Sequence, residues 1–167
     1  MKNLTLGFLV LAVLASSLVL AYDASTPYTV TMKWIVPEDS SFTVELCGAE
    51  TTIDFDTALT SDTVAWAQPN CQDNATSTAM YTITNTGNIA LNFTNNLTAA
   101  KPAWATLYVN NDTIAADAVE FDTDAVIIAG NVAIDATRDI YLWTTITSAD
   151  TGTTERTYQV NSEKFLE

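Results

Sequence analysis

The 167-residue chain contains no histidine, two cysteines and only six lysines and arginines. Without histidine it has no Ser–His or Cys–His pair to activate a nucleophile, and it also lacks a glycine-rich phosphate-binding loop. A pair of carboxylates brought together by folding is the hydrolytic arrangement that these absences leave open. The sequence therefore predicts a protein that is not an enzyme and that needs no cofactor.

Basic residues are scarce, and the formal net charge is −14. Proteins that bind nucleic acid or anionic lipid gain affinity from counterion release at a basic surface. Six basic residues set against 20 acidic ones do not favour such a surface. We expect no nucleic-acid partner and interpret the acidic excess as a solvated, salt-tolerant surface.

The N-terminus reads MKNLTLGFLVLAVLASSLVLA, with one lysine before an apolar run that ends in small residues. This pattern predicts a secretory signal peptide over residues 1–21. A retained membrane anchor is the alternative, because the run is almost long enough to span a bilayer. Cleavage would export residues 22–167 as one domain, to the cell surface or beyond, and would limit membrane contact to the segment removed.

The two cysteines are Cys47 and Cys71. An isolated pair in an exported chain predicts a disulfide. Closing that loop would stabilise the fold by about 3 kcal/mol, because it restricts the unfolded chain. The alternative, a free thiol nucleophile, has no histidine to serve as its base.

Alternation of apolar and polar residues predicts strands, because side chains of a strand point to opposite faces in turn. Residues 28–36 and 42–46 are predicted to form a first hairpin across the turn sequence PEDSS. Further strands are predicted at residues 53–55, 81–84, 89–94, 104–109, 119–121, 126–128 and 132–134, with a final hairpin of residues 140–147 and 153–160. Residues 56–74 are predicted to be irregular. Short strands at regular spacing predict an all-β fold, a single immunoglobulin-like or jelly-roll-like antiparallel β-sandwich.

The stretch YTITNTGNIALNFTNNLT, residues 81–98, is the strongest local pattern. Its two alternating runs are predicted to pair as a hairpin in which Gly87 supplies a positive φ. The side chains predicted to face the core are Ile89, Leu91 and Phe93. The same register places Asn92 on the solvent face.

Four N-glycosylation acceptor sequences follow the predicted signal peptide. Their asparagines are Asn74, Asn92, Asn96 and Asn111. Each falls on a predicted turn or on an outward strand position, where a glycan has room. We therefore expect N-linked glycans on this surface.

Acidic and aromatic residues supply two weaker patterns. The sequences IDFD and EFDTD bring carboxylates to one side of a strand or loop, as calcium requires. The candidate calcium ligands are Asp54, Asp56, Asp122 and Asp124. No EF-hand loop is present, so a solvated acidic face is favoured and no metal site is predicted. Trp66 is predicted to be a surface aromatic that would stack on a sugar, whereas Trp34 lies in the apolar stripe of its strand.

The segment YTITNTGNIALNFT resembles the strand–turn–strand signature of secreted immunoglobulin-like domains on archaeal and bacterial surfaces. A signal peptide followed by one small, threonine-rich sandwich with glycan acceptors also resembles archaeal filament subunits of the thread and bundling-pilus type, relatives of TasA and camelysin. An antibody-type domain is not indicated, since Cys47 and Cys71 are too close in sequence and Trp66 is misplaced.

This resemblance implies a homopolymer formed by donor-strand complementation, in which a terminal segment of one subunit completes the sheet of the next. Residues 22–34 are the expected donor. The donor side chains expected to enter the partner are Tyr28, Val30, Met32 and Trp34. An ordinary hairpin with residues 42–46 would instead leave only residues 22–27 as a tail. A carbohydrate-binding or adhesion module is the alternative function.

Overall fold

The computed structural model describes residues 33, 35–55, 63–147 and 154–166. The chain divides into two units, Met1–Val36 and Pro37–Glu167. The predicted signal peptide and the donor side chains Tyr28, Val30, Met32 and Trp34 lie outside the described residues. No helix within the described ranges is long and apolar enough to cross a membrane.

The described part of the second unit forms nine strands. They are β1 (Phe42–Leu46), β2 (Thr63–Ala67), β3 (Tyr81–Asn85), β4 (Leu91–Leu97), β5 (Ala105–Asn110), β6 (Val119–Phe121), β7 (Val126–Val132), β8 (Thr137–Thr147) and β9 (Tyr158–Lys164). Two short 3₁₀ helices, Cys47–Ala49 and Ala115–Asp117, follow β1 and β5.

The strands make two antiparallel sheets. The larger has the order β1-β3-β8-β5-β6, with β2 also paired to β8, and the smaller has the order β7-β4-β9. Apolar side chains from both sheets share one core, among them Tyr81 and Ile83 of β3 and Leu91 and Phe93 of β4. The predicted all-β antiparallel sandwich is confirmed.

The predicted register of β4 is confirmed as well. Leu91 and Phe93 are fully buried, and Asn92 lies on the opposite, outward face. Each large apolar side chain buried in this way contributes about 1.5–3 kcal/mol to stability.

The prediction of a β3–β4 hairpin is wrong, because β3 and β4 belong to different sheets. Residues 86–90 carry the chain from one sheet to the other. Gly87 does not have a positive φ; of the described glycines, Gly48 has one. A Cβ at Gly87 would instead overlap the carbonyl oxygen of Asp39. Glycine is needed there for close backbone approach rather than for its conformation.

The prediction of a first hairpin falls mostly on residues 28–32 and 34, which lie outside the described residues; Ile35 and Val36 belong to no strand, and β1 pairs with β3 along one edge. The prediction of a final hairpin is wrong. The last two strands lie in different sheets, since β8 pairs with β2, β3 and β5 while β9 pairs with β4. Alternation identifies a strand but carries no information about its partner.

Three strand boundaries also differ from the prediction. Residues 53–55 are not a strand, although Ile53 and Phe55 pack against the core. The region predicted to be irregular contains β2, which pairs with the end of β8. The two strands predicted within residues 126–134 are one strand, β7, whose alternation is broken where its pairing with β4 shifts register.

The predicted disulfide between Cys47 and Cys71 is confirmed, with the two Cα atoms 5.9 Å apart. It ties the 3₁₀ helix after β1 to the segment that precedes β3. Gln72, the next residue, is buried and bonds the backbone of β8 with its side-chain amide. The disulfide therefore restrains a segment that is hydrogen-bonded to the sheet through the Gln72 side chain.

A buried polar cluster of Tyr81, Tyr158 and Asn95 lies between the sheets. The hydroxyls of Tyr81 and Tyr158 are hydrogen-bonded to each other. Burial raises the pKa of Tyr81 well above its usual value, and the neighbouring Tyr158 raises it further. Burial also raises the pKa of Tyr158, against the smaller opposing effects of Tyr81 and Asn95. The Asn95 amide is fully buried and makes no hydrogen bond of good geometry to a described residue.

Stability should fall at alkaline pH. Above pH 10 the unfolded chain loses tyrosine protons that the native state keeps, so unfolding becomes easier by up to about 1.4 kcal/mol per pH unit for each residue. Urea denaturation between pH 8 and 12 measures this, and the double variant Tyr81→Phe/Tyr158→Phe should show a weaker dependence. Equal slopes for the two proteins would contradict the assignment.

Replacing Gly87 by alanine should destabilise the domain by about 1–3 kcal/mol, because the added methyl displaces the backbone at Asp39. Gly130→Ala is the matched control, since a Cβ there would meet the Asn92 Oδ1 atom at an ordinary distance of 3.6 Å. Urea midpoints of the two variants give the comparison. A midpoint for Gly87→Ala as high as that of the control would show that the close approach is unimportant.

Candidate assembly surfaces

The domain begins with residues 37–41, here named the root segment, which is bound to the turn between β3 and β4. Asn88 holds it from both sides: its Nδ2 donates to the Pro37 carbonyl oxygen at 2.8 Å, and its Oδ1 accepts from the Asp39 N–H at 2.7 Å. The backbone N–H groups of Asn88 and Thr86 donate to the carbonyl oxygens of Asp39 and Ser41. The start of the domain is therefore fixed on the core sandwich.

The root segment also contacts β9. Ser162 Oγ donates to the carbonyl oxygen of Ser40 at 3.2 Å, and Lys164 pairs with Glu38. An exposed ion pair of this kind adds little stability. The ion pair instead helps to position the root segment, which leads into β1 and contacts β9. Both are edge strands, so the root segment covers one lateral side of the sandwich.

The opposite lateral side, between edge strands β6 and β7, contains an open groove of about 210 Å³. Its floor includes Val109, Ile128 and Ala129, which are buried in the core. Its rim includes Val119 and Ile127, which are 49% and 61% exposed. We name it the β6/β7 groove. Every side chain that lines it is uncharged.

β7 presents a free backbone edge beside this groove. Within the described part of the chain it pairs with β4 alone, so no described strand satisfies the N–H and C=O groups on its other side. Such an edge is a template for another strand. β6 is an edge strand too, but it is only three residues long.

Sequence reasoning missed the groove, although one signal for it is present. Ile127 and Ile128 are adjacent, and consecutive side chains of a regular strand cannot both face the core. The register shifts between β7 and β4 turn Ile128 and Ala129 inward together and leave Ile127 outside.

The four predicted glycan acceptors fall in different environments. Asn92 and Asn96 are half-buried on the outward face of β4, where Asn92 Oδ1 accepts from the Asn131 N–H and Asn96 Oδ1 accepts from Asn161 Nδ2. Asn74 Nδ2 donates to the Thr113 carbonyl oxygen at 3.2 Å. Asn111 is exposed, lies at the β6/β7 groove, and its side chain bonds no other described residue.

The described candidate calcium ligands, Asp54, Asp122 and Asp124, are not brought together. Among the described residues no three acidic, histidine or cysteine side chains are grouped as a cation site would require. Asp122 Oδ1 instead accepts the Lys101 N–H at 2.9 Å. Asp54 and Asp124 are exposed, and Asp56 lies outside the described residues.

Trp66 is a surface aromatic, as predicted, although it lies on β2 rather than in a loop. It is 41% exposed, and its ring centroid is 4.6 Å from that of Tyr108. Trp143 is buried, and Trp104 is half-buried. Trp34 lies outside the described residues. The described tryptophans therefore offer one exposed ring pair rather than a row.

Comparison with protein-family models, curated proteins and solved structures found no match for this chain.

Proposed function

We propose that this protein is an exported structural subunit that polymerises into an extracellular filament by donor-strand complementation. Residues 22–34 are the donor, and the sandwich of the next subunit accepts it. The observation that carries the proposal is the edge of β7, unpaired among the described strands, beside an uncharged groove on the side of the domain opposite the root segment.

The position of the root segment supports a linear polymer. The donor is attached at the β1/β9 side, and the open edge lies at the β6/β7 side. A contact between two different surfaces of identical subunits propagates as an open chain unless its rotation closes a ring. Opposed lateral sides favour the open chain.

The exposure of Ile35 and Val36 also favours a free donor. A hairpin between residues 28–36 and β1 would shorten the tail to residues 22–27. Ile35 and Val36, the described end of that predicted strand, belong to no strand and are 75% and 76% exposed. Each of Val30, Met32 and Trp34 buried in a neighbour would contribute about 1.5–3 kcal/mol before the cost of ordering the strand.

A carbohydrate-binding or adhesion module is the second candidate. The ring pair of exposed Trp66 and half-buried Tyr108 favours it, because aromatic faces stack on sugars. One tilted pair, without a groove of polar groups around it, makes a small platform. We therefore rank this function second.

Deleting residues 22–34 behind the signal peptide should leave a secreted, folded monomer that forms no filaments, because the donor strand is gone. Negative-stain microscopy and size-exclusion chromatography of the intact and shortened proteins measure the difference, and circular dichroism verifies folding. Normal filaments from the shortened protein, or an intact protein that stays monomeric at high concentration, would contradict the proposal. The adhesion module would then take first place.

The filament is also proposed to be glycosylated. Asn92 should carry a glycan in the native host, because it lies on the outward face of β4 and its Nδ2 bonds no other described residue. Intact-mass spectrometry of wild type, Asn92→Gln and Thr94→Ala should show the same loss of one glycan in both variants. An unmodified wild-type mass would contradict the prediction.

A further inference from the structure

We infer that the β6/β7 groove is the acceptor site, and that its occupant is the donor segment of a second copy of this chain, added as a new strand along the free edge of β7. This inference rests on the proposed function and goes beyond it, because polymerisation by donor strand does not by itself specify which edge accepts.

The backbone of β7 matches the donor in length. β7 spans seven residues, Val126–Val132, or about 23 Å of extended chain. The alternating part of the donor, residues 28–34, also has seven residues. Main-chain bonds along this length would satisfy the edge that no other described strand covers.

The side chains of the groove match those of the donor. Val30 and Met32 would lie on the strand face that turns toward the floor formed by Val109, Ile128 and Ala129. A cavity of about 150 Å³ holds a benzene molecule, so a groove of 210 Å³ has room for one large or two small side chains. The polar residues between them would face solvent.

Three other edges are less suitable. β1 carries Glu45, and β9 carries Glu163 next to Lys164, which is already paired with the root segment. β2, which pairs with β8 alone among the described strands, is uncharged, but its five residues are fewer than the seven of the donor. Subunits with a large net negative charge repel one another, and a like charge inside an interface costs binding energy. The β6/β7 groove is uncharged and lies away from the root segment, so a second subunit meets less repulsion there than at β1 or β9.

Cross-linking between two mature variants, each carrying one added cysteine, tests the inference. Val30→Cys and Ile127→Cys subunits, made without glycans, are mixed under assembly conditions and treated with a short bis-maleimide that leaves the native disulfide intact. The mixture should give covalent dimers. Partnering Val30→Cys with Ile134→Cys, which is 51% exposed but outside the groove, or with Val44→Cys on β1, should give less than a tenth as much.

A matched pair of charge variants gives an independent measurement. Ile127→Arg should reduce filament yield at least tenfold, whereas Ile134→Arg should assemble like wild type. Both side chains are more than half exposed, so both variants should fold, and thermal unfolding verifies this.

The outcomes separate the acceptor site from the filament function. If the intact protein polymerises and loses polymers on deletion of residues 22–34, but Ile127→Arg assembles normally or Val30→Cys cross-links to Val44→Cys, the groove is not the acceptor and the filament function stands. If the intact protein never polymerises, both are wrong. If a Val30→Cys/Ile127→Cys double variant gives only internally cross-linked monomer, the groove holds its own chain's donor, which also overturns the inference.

Discussion

The fold depends on satisfying the backbone of β8, an eleven-residue strand in the middle of the larger sheet. Buried N–H and C=O groups must find partners, and no single strand covers this length. Along one edge of β8, β3 pairs with residues 137–140 and β2 pairs with residues 144–147. Between these two strands, Gln72 Nε2 donates to the Leu142 carbonyl oxygen at 3.0 Å, and Gln72 Oε1 accepts from the Leu142 N–H at 2.8 Å. A side chain thus fills the gap between two strands, and the disulfide at Cys71 holds it in place.

The arrangement around β8 gives the two lateral sides of the sandwich different properties. Chain crossings at residues 86–90 and 122–125 place β4 and β7 in the smaller sheet, so each lateral side brings together one edge strand from each sheet. The root segment bonds across one side through Asn88 and Ser162. The other side has no such cover among the described residues, and it contains the groove. This asymmetry, rather than any single residue, is what a directional polymer requires.

The sequence predicted which residues form strands far better than it predicted their partners. Alternation in β3 and β4 reports burial of one face, and burial is a local consequence of composition. Pairing depends on where the chain crosses between sheets, and two expected hairpins, β3–β4 and β8–β9, were wrong for that reason. Gly87 shows the same limit, since a glycine required for contact with Asp39, 48 positions earlier, looks identical to one required for a turn. The disulfide was predictable because two cysteines allow one pairing.

A free strand edge usually invites uncontrolled aggregation, and the irregularity of β7 offers a physical reason why this one need not. Its pairing with β4 shifts register twice, and Asn131 has a positive φ of 47° near its end. Bulges increase local twist, so a long flat strand from an unrelated chain would not match this edge along its length. The surrounding acidic surface also repels other acidic chains, whereas a nearly uncharged segment that fits the edge avoids this repulsion. Selectivity would then come from the shape of the edge, while affinity would come from the groove beside it.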